Sequence, residues 1–318
     1  MEHAIAFGPV PSRRLGNSLG INNIPPKVCS YACLYCQVGR TTEATLEPRD
    51  LFSTETIVAA ARERLAAVAK SGEVVDYVTL VSDGEPTLDA NLGETIRALK
   101  RLGPPVAVIS NATLLWKPEV RQALMAADWV SLKVDAVDEA IWRRVDRPHG
   151  RLDLAQVQDG MRAFGADYRG RLVSETMLVN GVNDGRGHLL AVAGFLAELA
   201  PEIAYLAIPT RPPAESEVQP PSEARLNAAY QVLSERLTRV EYLVGYEGNA
   251  FGVSGDAAHD LLSITAVHPM REDAVAELLR RSDAEWALVD AMIANGQIVA
   301  VSHGEHRYYM RRLPSQRR

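Results

Sequence analysis

The three cysteines of this 318-residue chain fall within eight residues, Cys29-Ser-Tyr-Ala-Cys33-Leu-Tyr-Cys36. Thiols so close together cannot staple distant parts of a large chain, so a disulfide framework is excluded. The clustering points to metal. A structural zinc site takes four ligands, usually as paired CxxC with a second Cys or His pair. There is no fourth Cys, and none of His3, His149, His188, His259, His268, His303 or His306 stands at zinc-finger spacing from the motif. Three thiolates do suffice for a [4Fe–4S] cube whose fourth iron is left open to another ligand.

Other residues with chemical potential recur at one kind of place. Short β-branched runs alternate with amphipathic stretches of ten or more residues. The predicted strands are Ser18–Ile24, Asp76–Ser82, Val106–Asn111, Trp129–Asp135, Leu172–Val179 and Ile203–Pro209. Helical patterns occupy Thr54–Ala69, Asn91–Leu102, Pro118–Ala126, Leu154–Phe164, His188–Leu199 and Ser222–Leu237. Near-continuous apolar strands alternating with helices mean an α/β fold, a parallel sheet covered by helices. Ligands of such sheets bind at the carboxyl ends of the strands, so the polar residues there are the candidates. They are the cysteine loop, Gly84-Glu85-Pro86, Ser110-Asn111, Lys133 and Asp135, Glu175, Asn183, Arg211, and the later Tyr246-Glu247. Glycine lets backbone approach a ligand and proline fixes the turn, which suits Gly84 and Pro86. Lys133 and Asp135 could equally form an ion pair at i, i+2, and Glu175 could be a capping acceptor. Ser12, Arg13 and Arg14 suit a phosphate or carboxylate, or they cap the floor of the fold.

CxxxCxxC with an aromatic before the last Cys resembles the signature of radical S-adenosylmethionine (SAM) enzymes. The resemblance implies a partial (β/α)6 barrel with one [4Fe–4S] cluster on Cys29, Cys33 and Cys36, and SAM chelated to the open iron. In that family the reduced cluster cleaves SAM to methionine and a 5′-deoxyadenosyl radical. Carried over, Tyr35 lies near the adenine. The Gly84-Glu85-Pro86 turn takes the position whose backbone carbonyls bind the SAM ammonium. Lys133 and Glu175 offer partners for the SAM carboxylate and ribose, with Ser110, Asn111, Asp135 and Asn183 as further cofactor contacts. Arg211, Tyr246, Glu247, Ser12, Arg13 and Arg14 are the substrate candidates. With no further cysteine, the chain cannot hold an auxiliary cluster on its own thiolates. A narrower likeness rests on Gly8-Pro-Val-Pro-Ser-Arg-Arg-Leu-Gly16, Leu19-Gly-Ile-Asn22 and Cys36-Gln-Val-Gly39, which are similar to a subgroup related to the wyosine-forming tRNA enzymes. Those relatives carry an extra cluster on upstream cysteines that this chain lacks.

A boundary is expected near Gly252-Val-Ser-Gly-Asp256, dividing a barrel, 1–255, from a C-terminal unit, 256–318. In the latter, Leu261–Val267 reads as a strand, Glu272–Arg281 and Ala284–Ala294 as helices, and Gln297–Val301 with Tyr308–Leu313 as a hairpin around His303-Gly-Glu-His306. That order is winged-helix-like, a module that binds DNA, RNA or a peptide added to an edge strand. With 34 Lys and Arg against 40 Asp and Glu, the net charge of −6 argues against holding nucleic acid by bulk electrostatics. The tail follows suit, with nine acidic and eight basic residues. Arg13-Arg14 is not followed by the apolar run of an export signal, and no apolar stretch is long enough to span a bilayer. The expectation is a cytoplasmic enzyme acting on an RNA base or a peptide, with flavodoxin or ferredoxin as electron donor. The competing readings are an iron–sulfur sensor that reads DNA through its tail, and a structural zinc protein.

Overall fold

The computed structural model describes residues 4–245 and 248–312. In chain order the first part holds β1 (Ala6–Ser12), β2 (Gly16–Ile21), the two-residue strands β3 (Val28–Cys29) and β4 (Glu43–Ala44), α1 (Thr54–Lys70), β5 (Tyr77–Leu80), α2 (Leu92–Lys100), β6 (Val106–Ser110), α3 (Pro118–Leu124) and β7 (Trp129–Lys133). Then come α4 (Glu139–Val145), α5 (Leu154–Asp167), β8 (Arg171–Met177), α6 (Arg186–Leu199), β9 (Ile203–Ala207), α7 (Glu223–Ser234) and β10 (Val240–Leu243). The tail is α8 (Ala257–Val267), β11 (Met270–Arg271), α9 (Glu272–Arg281), α10 (Ala287–Ala294), β12 (Ile298–His303) and β13 (His306–Arg311).

One curled sheet runs β1-β2-β5-β6-β7-β8-β9-β10, with β1 antiparallel to β2 and every other pair parallel. The six strands expected from hydrophobic runs are its middle, in the expected order. The sheet has eight strands rather than six because β1 and β10 add an edge on either side. Both were hard to read: β1 is interrupted by Pro9 and Pro11, which suggest a loop, and β10 is four residues with a glutamate inside. The short helix α4 was missed for similar reasons; it is set by Asp138, whose carboxylate accepts from the backbone of Ala140 and Ile141. The strand interiors are buried almost throughout, as a sheet covered by helices requires. Ser53, Asp153 and Ser222 cap α1, α5 and α7 in the same way and aim their apolar faces at the sheet.

In the tail, Leu261–Val267 is not a strand but the C-terminal part of α8. Its β-branched run is overridden by the Asp256 cap and by burial of the helix on several sides. The observed order is helix, strand, helix, helix, hairpin, with a three-stranded antiparallel sheet β11-β13-β12. The hairpin is tighter than expected, and His303 and His306 pair across its turn. Phe7 and Val10 of β1 share a second hydrophobic cluster with Leu261, Ile264, Met270, Leu278 and Tyr309 of the tail. Arg64 on α1 reaches the same junction, where it meets Asp260 of α8 at 2.8 Å and donates to the Gly8 carbonyl at 2.5 Å. The Asp260 carboxylate also accepts from Ser254 N and Oγ. Among the described residues no helix is long and apolar enough to cross a membrane.

Breaking one side of a buried ion pair leaves the other charge stranded. Asp260→Ala is therefore expected to cost about 3–5 kcal/mol in urea unfolding; a loss below about 1 kcal/mol would show that the junction does not depend on the pair. His268, at the end of α8, is pushed well below the ordinary histidine value by burial, with Arg211 adding to the effect. It is neutral when folded, whereas the unfolded chain takes up a proton below about pH 6.5. Stability must fall as pH drops below that value, by up to about 1.4 kcal/mol per unit from this group, and the contribution should vanish in His268→Gln.

Candidate active site

The cysteine loop leaves β2 and is clamped from two sides. On one side the Val28 carbonyl accepts from Glu85 N at 3.1 Å, and Lys27 N donates to the Asp83 carbonyl at 2.9 Å. A Cβ at Gly84 would fall 1.9 Å from the Val28 oxygen, so only glycine permits the approach. On the other side Ala32 N and Leu34 N donate to the carbonyls of Asp146 and Val145 at the end of α4. Trp142 Nε1 donates to the Tyr31 hydroxyl at 2.6 Å, and the two rings meet edge-on.

Within this clamp the three thiols are free of disulfides. Asn111 Nδ2 lies 3.6 Å from Cys29 Sγ, and Cys33 Sγ lies 3.5 Å from Asp146 Oδ1. Burial and then Glu85 push Cys29 up to about 12, and burial and Asp146 raise Cys33. Without metal Cys29 and Cys33 hold their protons, so they are poor nucleophiles and become good ligands only when a metal displaces the protons. With three thiols in one loop and no fourth Cys in the sequence, the ligand set matches a [4Fe–4S] cube with one open iron and falls short of the four ligands of a structural zinc site.

The Glu85 carboxylate is wholly engaged. It accepts from Ser110 Oγ at 2.7 Å, Asn111 N at 2.7 Å, and Thr87 N and Oγ1 at 3.0 and 2.6 Å. Glu85 thus ties the exit of β5 to the exit of β6, and burial raises its pKa against those hydrogen bonds. The Pro86 carbonyl is taken by Asn23 Nδ2 at 3.0 Å. Asn111 braces Ser30 and Thr113. Asn183 donates to the carbonyls of Asp135 and Met177 at 2.9 and 2.8 Å and accepts from Val179 N, so it shapes the loop after β8. The side chains of Glu85, Ser110, Asn111 and Asn183 brace the strand exits and the loops that follow them.

Register places Lys133 beside Glu175 on neighbouring strands. Lys133 Nζ stands 3.0 Å from Glu175 Oε1 and 3.4 Å from Asp135 Oδ1, and 4.9 Å above the Tyr35 ring. Arg14 pairs with the other Glu175 oxygen, and the Tyr35 hydroxyl donates to Asp135. Arg14, Glu175, Lys133 and Asp135 form a ladder of alternating charge. Burial alone would raise Glu175, but Lys133 and Arg14 outweigh it and hold the carboxyl at about 2. Burial likewise depresses Lys133, and Asp135 and Glu175 more than restore it. The ion-pair alternative for Lys133 and Asp135 is realised, and it leaves Lys133 without a spare charge.

Two members of the ladder, Arg14 and Glu175, line a half-open cavity of about 230 Å³ together with Ser12, Gln37, Arg211 and His268 among others. Arg211 donates to Gln37 at 2.7 Å. Ser12 and Arg14 therefore face the cavity, whereas the Arg13 guanidinium donates to the Val244 carbonyl after β10 and is not part of the lining. Tyr246 and Glu247 lie outside the described residues. A larger hollow of about 530 Å³, lined by Asn17, Glu73, Asn249 and Arg281, sits at the entry of β2, away from the strand exits, and has no cysteine or histidine in its lining. Sequence reasoning missed Gln37, His268, Asp146, Lys27 and Asp83. The last two adjoin motifs it had found; Asp146 and His268 carry no local signal, because only the fold brings them to the loop and the cavity.

A family model described as the Radical SAM superfamily matches residues 23–192. The chain is 42% identical over 313 residues to UPF0026 protein MJ1312 of Methanocaldococcus jannaschii, covering 98% of this chain and 97% of that protein. Among solved structures, Streptococcus suis SuiB bound to S-adenosylmethionine aligns with a TM-score of 0.52 at 14% identity, over 74% of this chain and 53% of that one. A radical SAM methyltransferase from Sphaerobacter thermophilus aligns with a TM-score of 0.52 at 17% identity, over 72% and 67%. These two likenesses establish the half-barrel fold. By the family match, this chain is an enzyme of the radical SAM superfamily.

Proposed function

We propose that this enzyme reductively cleaves SAM and removes a hydrogen atom from a phosphate-bearing substrate, a nucleotide or an RNA base. The observation that carries the reading is the position of the three-thiol loop, clamped between the glycine turn and α4 beside a cavity walled by charge. When bound, the cluster and SAM supply an electron and a 5′-deoxyadenosyl radical. Cys29, Cys33 and Cys36 hold three irons, and Asn111 donates toward the Cys29 sulfur. The backbone of Gly84-Glu85-Pro86, fixed by the Glu85 carboxylate, receives the methionine end of SAM. Glu175 keeps its charge across the working pH range and offers its remaining lone pairs to the ribose hydroxyls. Tyr35, pinned by Asp135, packs near the adenine. The tail shields the cavity from water, which a radical requires.

A phosphate-bearing substrate is favoured because Arg14 and Arg211 face the cavity of a chain that is acidic overall. Arginine's planar fork suits phosphate. The likeness of the Gly8–Gly16 and Cys36–Gly39 segments to wyosine-forming enzymes favours an RNA base. The tail has the element order of a winged helix. Its α10, which would enter a DNA groove in such modules, carries Asp290 as its only charge, and this counts against a DNA-reading sensor.

Alanine at any one of Cys29, Cys33 or Cys36 is expected to abolish cluster assembly, read by iron content and visible absorption; full iron in such a variant would sink the assignment. Glu175→Ala should weaken SAM binding about tenfold with iron unchanged, and unaltered affinity would leave Glu175 a purely structural member of the ladder. The reaction itself is tested by 5′-deoxyadenosine formation in the reduced, reconstituted protein with SAM and a desalted cell extract. Loss of stimulation after RNase treatment is the expected result. Loss after protease treatment alone would replace RNA by a peptide or protein substrate.

A further inference from the structure

Two buried ionisable groups flank the cysteine loop without a hydrogen-bond partner among the described residues. Lys27 is 4% exposed and its Nζ is unpartnered; Asp83 is 1% exposed and both its carboxylate oxygens are unpartnered. The Lys27 backbone is fixed. Its N–H is held by the Asp83 carbonyl at 2.9 Å, its own carbonyl accepts from Thr42 N and Glu43 N, and its φ of 65° is a conformation that a side-chain-bearing residue adopts only when the surroundings impose it. Burial pushes Lys27 below the ordinary lysine value, while Cys36, Asp83 and Cys29 favour its charge. Burial pushes Asp83 up to about 7 against the charges of Lys27 and Arg311, the latter contributed by β13 of the tail. The cavity lining does not include Lys27, so a substrate anion there does not explain it. An ammonium shut away from water needs an anion; Asp83, whose own charge is opposed by burial, supplies part of it, and the rest is the charge that the three cysteines would carry with a cluster.

We propose that Lys27 is a positioning residue that places a fixed cation against the iron–sulfur cluster and raises its reduction potential, with Asp83 setting an opposing limit. The inference rests on the assignment of the three cysteines to a [4Fe–4S] cluster. An oxidised 2+ cube with three thiolates carries a net charge of about −1, and one electron, supplied by dithionite in the test, takes it to about −2 with no bond made or broken. A neighbouring cation favours the more negative state and a neighbouring anion opposes it, both more strongly in a dry interior than in water. Lys27 and Asp83 therefore act with opposite sign on the same equilibrium.

The test is a dithionite titration of the full-length, anaerobically reconstituted protein without SAM, at about pH 8.5 so that the Asp83 carboxyl, pushed up to about 7, is ionised, followed by visible absorption and electron paramagnetic resonance. Lys27→Met is expected to lower the midpoint by about 59 mV or more, a tenfold change in a one-electron equilibrium. Lys27→Arg should restore it, and Asp83→Asn should move it upward. A general disturbance of the loop would move both charge-removing variants the same way, and that result, or an unmoved midpoint in both, would overturn the proposal. Should Lys27→Met assemble no cluster, the upward shift in Asp83→Asn and the wild-type-like midpoint of Lys27→Arg decide the matter. A wild-type protein that binds no iron would instead overturn the cluster assignment itself, and this inference with it.

Discussion

Gly84 has no room for a side chain because the Val28 carbonyl occupies the place where a Cβ would be. That contact fixes the cysteine loop on the exit of β5, and the rest of the site is arranged around it. Once Val28 is set, Cys29 follows beside the exit of β5, and the Glu85 carboxylate accepts from Ser110 and Asn111, joining two strand exits. Asn111 then reaches the Cys29 sulfur. A glycine chosen for backbone approach to a ligand is here needed first for approach to the protein's own chain. The family's turn is thus as much a bracket for the cysteines as a seat for a cofactor.

The six central strands and their helices were legible because buried parallel strands write continuous apolar runs, a strong local signal. The edge strands were not. β1 earns its place by pairing with β2 and packing against the tail, neither of which is visible in a segment that reads Gly-Pro-Val-Pro. α8 shows the same limit from the other side, since a β-branched run became a helix through its cap and its surroundings. For the site, residue type and strand-end position sufficed to bring Lys133, Asp135, Glu175 and Tyr35 together. The Lys133–Asp135 pair was legible from its i, i+2 spacing, but the second carboxylate was not, because Glu175 reaches Lys133 through strand register.

The charge ladder and the tail work on one cavity from opposite sides. Arg14, from the turn between β1 and β2, ends the ladder and lines the cavity; His268, from the end of α8, lines it opposite. Tyr308 of β13 donates to the Thr210 carbonyl at 2.9 Å, next to Arg211. Stretches of chain from β1 to the end of α8 therefore set the size and charge of a space that no single motif describes.

The shared core of β1 and the tail bears on how this protein can change. Phe7 and Val10 pack under α8 and, with Pro11 and Ser12 that follow, also line the cavity. A tail borrowed from a relative would arrive with side chains shaped for a different first hairpin, and the misfit would fall on the wall of that cavity. Arg64 and Asp260, one in each part and each buried against the other, impose the same restriction. Shifts of specificity along this lineage should then come as paired replacements at the two ends of the chain, inherited together, rather than by exchange of the C-terminal segment as a cassette.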